Sequence, residues 1–182
     1  MKTSGFVLND PAKTKPEVLA RVRHWTVFFI VGLVLSGATA IPIPTQLDIA
    51  VRVLGEDLSA GGAIPQHMSE WLRTLRDGIR ATSTTAPFMF YGTDWLAFGH
   101  FAIAVVFIGA LRDPIRNRWL YRFGMIACAA VPIWAFVFGP IRGIPLWWRI
   151  IDSAFGVIGF IPMWRCDRWI RTIEAHTAAG TR

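Results

Sequence analysis

Four long apolar stretches constrain this chain more than any other feature of its sequence. They are Trp25–Ile43, Trp95–Leu111, Leu120–Phe138 and Ile144–Trp164. Each is close to the ~20 residues that a helix needs to cross the hydrocarbon core of a bilayer. Four such segments are not expected in a chain of 182 residues that folds in water. The sequence therefore predicts an all-α, polytopic integral membrane protein, built as a four-helix transmembrane bundle.

The placement of the basic residues predicts the orientation of this bundle. Hydrophobic residues make up 53% of the chain and charged residues 17%, yet the net charge is +7. Thirteen of the 19 Lys and Arg residues lie in residues 1–24, in the 112–122 loop and in the tail from Arg165. Because cytoplasmic loops are enriched in Lys and Arg, we expect both termini in the cytoplasm of a bacterium, with the chain in its inner membrane.

The same distribution indicates what the charge is for. The basic residues flank the spans, so they are expected to contact anionic lipid head groups on the cytoplasmic side. No basic and aromatic surface recurs outside those flanks, which argues against a nucleic-acid partner. A membrane-protein partner or a second copy of the chain is compatible with the pattern.

The topology divides the chain into a cytoplasmic segment 1–24, a transmembrane domain 25–164 and a cytoplasmic tail 165–182, with an external loop 45–94. Apolar residues recur at helical spacing in two runs of this loop: Leu47, Val51, Leu54, Leu58, and Met68, Trp71, Leu72, Leu75, Ile79. This periodicity predicts two short amphipathic helices joined by a turn at Ser59–Gly62. They either lie flat at the lipid head groups or cover the mouth of the bundle.

The first span ends at Ala38-Thr39-Ala40, which is typical of a signal-peptidase site. However, the segment before it is too long for a signal peptide, and Gly32 and Ser36 form a small-x-x-x-small pair that suits helix packing. We therefore predict a retained helix; cleavage would leave three spans. The two cysteines, Cys128 and Cys166, are predicted to be packing residues without a disulfide, because neither faces the external side.

Ionisable residues inside a span are costly in lipid and are therefore candidates for function. Three of them, His100, Arg149 and Asp152, fall at similar depth in the outer half of the predicted bundle. Arg149 and Asp152 stand at i and i+3 of one helix and can pair. The sequence predicts an outward-facing polar pocket around these three residues, with Asp94 and Arg142 at its mouth.

A structural interpretation of the same residues stays open. Arg149 can extend toward the outer interface with Asp152 neutralising it, and His100 can donate a hydrogen bond to a backbone carbonyl. Asp94, or Thr93 beside it, can cap the second span, and Arg142 can be an exposed turn residue.

The histidines give no sign of a cofactor or a metal. A membrane haem needs facing histidines at matched depth, whereas His24 and His100 are expected at opposite ends of their spans. His67 and Glu70 stand at i and i+3, but two ligands do not make a metal site. Neither a phosphate-binding loop nor a metalloprotease motif occurs in the sequence. We therefore expect no cofactor and no metal.

Four motifs resemble a family of uncharacterised four-span bacterial inner-membrane proteins. They are Tyr91-Gly92-Thr93-Asp94-Trp95-Leu96-Ala97-Phe98, the Arg112–Asn117 loop, Gly139-Pro140-Ile141-Arg142-Gly143-Ile144-Pro145 and Ile151-Asp152-Ser153-Ala154-Phe155-Gly156. The resemblance covers roughly residues 20–170. It implies the four-span topology and no particular activity.

Three functions are compatible with these observations. The first is a binding or accessory membrane protein with the outward polar pocket. The second is a small transporter or proton-linked carrier in which His100 and Asp152 titrate, although such proteins usually show an inverted repeat. The third is an embedded enzyme with His100 as base and Arg142 and Arg149 as anion clamps.

Overall fold

The computed structural model describes residues 15–57 and 65–179, and within these ranges every regular element is a helix and no strand occurs. The elements are α1 (Lys15–Thr39), α2 (Ile43–Ala50), a π-helical segment (Val51–Asp57), α3 (Gln66–Thr85), a 3-10 turn (Pro87–Phe90), α4 (Tyr91–Arg112), α5 (Arg118–Ile141) and α6 (Leu146–Ala179). The predicted all-α fold with four membrane-length helices is confirmed.

Helices α1, α4, α5 and α6 are long and apolar enough to cross a membrane. Only 11% to 22% of the most hydrophobic window of each is buried inside the protein. The remaining apolar surface would be costly to expose to water, so the chain is built as a multi-pass membrane protein. The helix that contains the fourth predicted span extends beyond Trp164, because α6 continues through most of the predicted tail to Ala179.

The chain forms two compact units, and their boundaries fall within α1 and α4. The α5–α6 unit contains residues up to Ile30 and from Val106 onward. The α2–α3 unit contains Val31–Val105.

The core of the α5–α6 unit lies where α1, α4, α5 and α6 contribute fully buried side chains. Phe107 is at its centre, with ring centroids 4.8 Å from Phe29 and 6.5 Å from Tyr121. Met163 packs over Gly124, where an added methyl carbon would lie 3.0 Å from Met163 Cγ. This close approach explains why a glycine stands at that position of α5.

The α2–α3 unit contains the two amphipathic patterns of the sequence. Both are helical as predicted, although Leu58 and the Ser59–Gly62 turn lie outside the described residues. The buried residues Leu47 and Val51 belong to one pattern and Leu72 to the other, so the apolar stripes pack against each other. Asp48 and Arg80 join the two elements by a 2.8 Å ion pair. The hydrogen bond to Asp48 raises the pKa of Arg80 above its usual value, which keeps the guanidinium charged.

Candidate functional site

The five residues predicted to line one pocket divide between the two units. Asp94 and His100 belong to the α2–α3 unit, and Arg142, Arg149 and Asp152 to the α5–α6 unit. Their local surroundings differ in how far each polar group is already satisfied.

His100 is half-buried on α4 and is engaged with its own helix. Its Nδ1 lies 2.8 Å from the carbonyl oxygen of Leu96 and therefore donates a hydrogen bond to it. The other ring nitrogen, Nε2, takes no part in this bond. Gly37 of α1 approaches here, because a methyl carbon added to it would lie 3.0 Å from His100 Cβ. This hydrogen bond is the one expected from the structural interpretation of the sequence.

Asp94 does not cap the second span, because α4 begins at Tyr91 and the 3-10 turn precedes it directly. The Thr93 hydroxyl donates instead to the carbonyl of Phe90 at 2.7 Å. Asp94 is an exposed residue of the first helical turn, where the positive end of the helix dipole stabilises a carboxylate. With Tyr91, Trp95 and Phe98 it lines an open, mostly apolar groove of about 230 Å³.

Arg149 lies against the facing helix α5. Its side-chain carbons lie directly against the Cα of Gly139. A side chain on residue 139 would collide with them. Its guanidinium carbon is 5.7 Å from the centre of the Phe136 ring, a cation–π distance. Its Nε is enclosed by protein and has no hydrogen-bond acceptor among the described residues.

Asp152 stands one turn after Arg149 but does not pair with it. The ion pairs among residues 15–57 and 65–179 do not include these two side chains. Asp152 is half-buried, and the Ser153 hydroxyl donates to the Arg149 carbonyl at 2.8 Å. The close ion pair that the i, i+3 spacing allows is therefore not formed between these two side chains in this structure.

The glycine-lined face that follows Asp152 packs against another helix. A methyl carbon at Gly156 would lie 2.5 Å from the Cys128 carbonyl oxygen, and one at Gly159 would lie 2.7 Å from Cys128 Sγ. Met163 continues the face and is fully buried. Cys128 and Cys166 are free, buried thiols, in agreement with their predicted role in packing.

Arg142 is the exposed C-terminal cap of α5. Gly143 follows with φ of +70°, a left-handed conformation that glycine adopts without strain. The Ile144 amide donates to the Gly139 carbonyl at 2.9 Å and the Gly143 amide to the Pro140 carbonyl at 3.1 Å. These two bonds form a Schellman motif, which ends the helix and turns the chain into α6.

A cluster of ion-paired side chains on α5 and α6 is absent from the site residues predicted from the sequence. Asp167 on α6 has only 1% of its side chain exposed and accepts hydrogen bonds from Arg118 Nε and Arg171 Nε, both at 2.8 Å. Arg122 Nε is 3.6 Å from the same carboxylate. Arg118 also donates to Glu174. We call these five residues the Asp167 cluster.

A buried polar network lies in the same unit as this cluster. The hydroxyls of Thr26 and Tyr121 are 2.8 Å apart, and both side chains are fully buried. Thr26 donates to the Val22 carbonyl at 2.8 Å, so the Tyr121 hydroxyl is the donor to Thr26 Oγ1, with the Ala110 carbonyl as a more distant second acceptor at 3.3 Å. Cys166 Sγ lies 3.7 Å from the Val22 carbonyl oxygen. Four helices are thereby joined by polar contacts inside an apolar core.

Two signals in the sequence point to these groups. Arg118 and Arg122 stand at i and i+4 of α5, while Asp167, Arg171 and Glu174 stand at i, i+4 and i+7 of α6, so each set shares one helix face. The second set lies in residues 165–182, which the hydropathy pattern predicts to be a tail and which the structure shows as part of α6. Thr26 and Tyr121 lack such a signal, because one hydroxyl in an apolar span has no spacing to compare.

Neither a metal site nor a similar known protein indicates a function for the described residues. The described residues contain no group of three or more His, Cys, Asp or Glu side chains placed to hold a metal ion. Glu70 instead accepts a hydrogen bond from Gln66 at 2.7 Å. Comparisons of the chain with protein-family models, curated proteins and solved structures find no match.

Proposed function

We propose that this chain is a binding or accessory protein of the bacterial inner membrane, with both termini in the cytoplasm. Its binding face is the part of α5 and α6 around Arg149, in the outer half of the membrane. Membership of the four-span bacterial family is part of the same proposal. The observation that carries it is the Arg149 guanidinium, which is held over Gly139 while its Nε lacks an acceptor in the described chain.

The energetics of this arginine favour a binding role. A charged side chain within a span is costly, and an enclosed N–H without an acceptor adds roughly 1–3 kcal/mol. Because the Nε is enclosed, an anionic or carbonyl group brought by a partner would meet the guanidinium at its terminal nitrogens and lower the cost of its charge. Asp152, which is not engaged with Arg149, presents the opposite charge one turn away. A membrane partner with complementary polar groups would thus meet both.

The other polar side chains of the spans favour binding over catalysis by those groups. His100 Nδ1 is engaged with the Leu96 carbonyl, and the Ser153 hydroxyl with the Arg149 carbonyl. The Thr26 and Tyr121 hydroxyls are bonded to each other and to backbone. Each of these polar groups is therefore already hydrogen-bonded within the protein, which is typical of a structural role.

The topology is tested with reporter fusions. Fusions after Arg118 and after Arg182 are expected to report the cytoplasm, and a fusion after Ser83 the outside, because the basic segments stay inside. An external reading after Arg118 would overturn the orientation, although it would leave the four-span fold intact.

The binding face is tested by photo-crosslinking in intact cells. Benzoylphenylalanine at Ile150, an exposed neighbour of Arg149, is expected to give one discrete adduct. Arg149→Gln should abolish it, whereas Arg142→Gln, which changes an exposed arginine of the helix cap, should not. An adduct of twice the chain mass would identify a second copy as the partner. An adduct that survives Arg149→Gln, or lipid adducts alone, would contradict the proposal.

A further inference from the structure

The Asp167 cluster has an excess of positive charge that its own carboxylates do not neutralise. Three guanidinium groups, from Arg118, Arg122 and Arg171, face two carboxylates, from Asp167 and Glu174. Arg118 is enclosed, with 18% of its side chain exposed, whereas Arg122 and Arg171 are 51% and 58% exposed. The uncompensated charge therefore lies at the two accessible arginines.

The buried carboxylate holds Arg171 by hydrogen bonds and attracts Arg122 in a longer ion pair. Arg171 directs Nε and Nη2 to Asp167 Oδ2, at 2.8 and 2.6 Å, so Nη1 has no acceptor in the described chain. Arg122 directs only Nε toward Oδ1, at 3.6 Å, so both of its terminal nitrogens are available. Guanidinium groups drawn to one carboxylate keep their remaining N–H groups free, and such planar donors suit the oxygens of a phosphate.

The surroundings of the cluster are those of a lipid head-group region. On the same helix, the Arg168 guanidinium carbon lies 4.9 Å from the centre of the Trp164 ring. Arg165 lies 6.0 Å from the Trp25 ring of α1. Tryptophan and arginine together are typical of the membrane–water interface, where the ring lies at head-group depth. An anionic head group would thus meet the cluster at its own depth.

We infer that Arg122 and Arg171, positioned by Asp167, bind the phosphodiester of an anionic phospholipid such as phosphatidylglycerol or cardiolipin. The ligand chemistry is a phosphate anion, and its source is the inner-membrane lipid that surrounds the helix. The site lies in the cytoplasmic leaflet if the topology proposed above holds. Binding in micelles does not depend on that orientation, so the site and the topology fail separately.

The test measures lipid binding to the full-length protein in a zwitterionic detergent. Phosphatidylglycerol and phosphatidylcholine are titrated separately, with inorganic phosphate as a third probe. We expect wild type to prefer phosphatidylglycerol and Arg122→Gln/Arg171→Gln to bind it at least about tenfold more weakly, since two charge-assisted contacts are lost. The matched control, Arg52→Gln/Arg142→Gln, removes the same charge from exposed positions elsewhere and is expected to bind within about twofold of wild type.

The alternatives give distinct results. Arg122→Lys/Arg171→Lys keeps the charge but loses the planar donors, so it should bind more weakly than wild type; equal binding would reduce the site to a diffuse positive field and overturn the inference. Equal weakening in the control pair would do the same. If inorganic phosphate alone occupies the site and displaces phosphatidylglycerol at millimolar concentration, the ligand is a soluble anion and the lipid assignment is wrong. Circular dichroism of each variant establishes that it is folded.

Discussion

Two aspartates on the same helix have opposite surroundings. Asp167 is buried and receives hydrogen bonds from two arginines, one of them on α5. Asp152 is half-buried, has an arginine one turn before it on its own helix, and does not pair with that arginine. The difference arises because Arg149 turns toward Gly139 of α5, where a missing side chain leaves room for its carbons.

The comparison shows that tertiary packing outweighs local spacing in placing charges. The i, i+3 spacing on one helix allows a pair but does not enforce it, and here the side-chain carbons of Arg149 pack on Gly139 of α5 instead. Asp167 finds its i+4 partner Arg171 because Arg118 already holds the carboxylate from the other side. A charged pair is therefore secured where two helices supply it together.

The largest expected effect separates the two aspartates by stability. Asp167→Asn leaves three arginines around a neutral, buried group, and we expect a loss of about 3–5 kcal/mol in unfolding free energy. Asp152→Asn should change stability by less than about 1 kcal/mol, since no ion pair is lost. Denaturation in detergent measures both, with Asp77→Asn, in an exposed ion pair with Arg76, as the surface reference. Equal losses at 152 and 167 would remove the contrast.

The second prediction asks whether α6 is closely packed near Asp152 as well. Gly156→Ala places a methyl carbon about 2.5 Å from a backbone oxygen of α5, which cannot move as a flexible side chain could. We expect a loss of roughly 1–3 kcal/mol from overpacking. Gly32→Ala is the control, because nothing lies within 4 Å of its added methyl carbon. If thermal denaturation shows the same midpoint for both variants, the α5–α6 contact is looser than described.

The third prediction concerns the polar network beside Asp167. Tyr121→Phe removes the hydroxyl that joins Thr26 to the Ala110 carbonyl, at an expected cost of about 1 kcal/mol. The chain has two tyrosines, and Tyr91→Phe at the exposed one should leave the unfolding free energy unchanged. The same denaturation assay measures both. A neutral Tyr121→Phe would mean that this network contributes nothing to stability.

The smallest effect is a coupling energy. A double-mutant cycle with Arg149→Leu and Asp152→Leu is expected to be additive within about 0.5 kcal/mol, because the two side chains do not pair. The corresponding cycle for Arg118 and Asp167 should show coupling well above that value. Strong coupling between Arg149 and Asp152 would show that they pair in the membrane and would contradict the asymmetry on α6.

The fold was predictable because its signal is repeated along the chain. Each span has many apolar residues in succession, so the sequence locates all four helices even though their ends move by several residues. The extension of α6 to Ala179 has no signal in hydropathy, because polar residues on one face lower the mean and resemble a tail. Those residues are polar because the opposite face, with Cys166, Ile170 and Ile173, is buried.

The candidate site was predictable only as a set of residue types. The free-energy cost of placing an ionisable side chain in lipid identifies His100, Arg149 and Asp152 as candidates. Their shared pocket stays a prediction. Arg118 and Asp167 could not be paired from the sequence, because 49 positions separate them and no local spacing links the two helices. The close approach at Gly139 is likewise a property of two helices and not of either sequence segment alone.

The length of α6 has a mechanical consequence. Its 34 residues extend about 51 Å, well beyond the ~30 Å hydrocarbon core, and they run without a break through Pro162. Arg149 and Asp167 are about five full turns apart, so both point to the same side of one rod. Pro162 lies between them and cannot donate the backbone hydrogen bond of its turn, so a bend at this residue would change the direction of Arg149 relative to the salt bridges of Asp167.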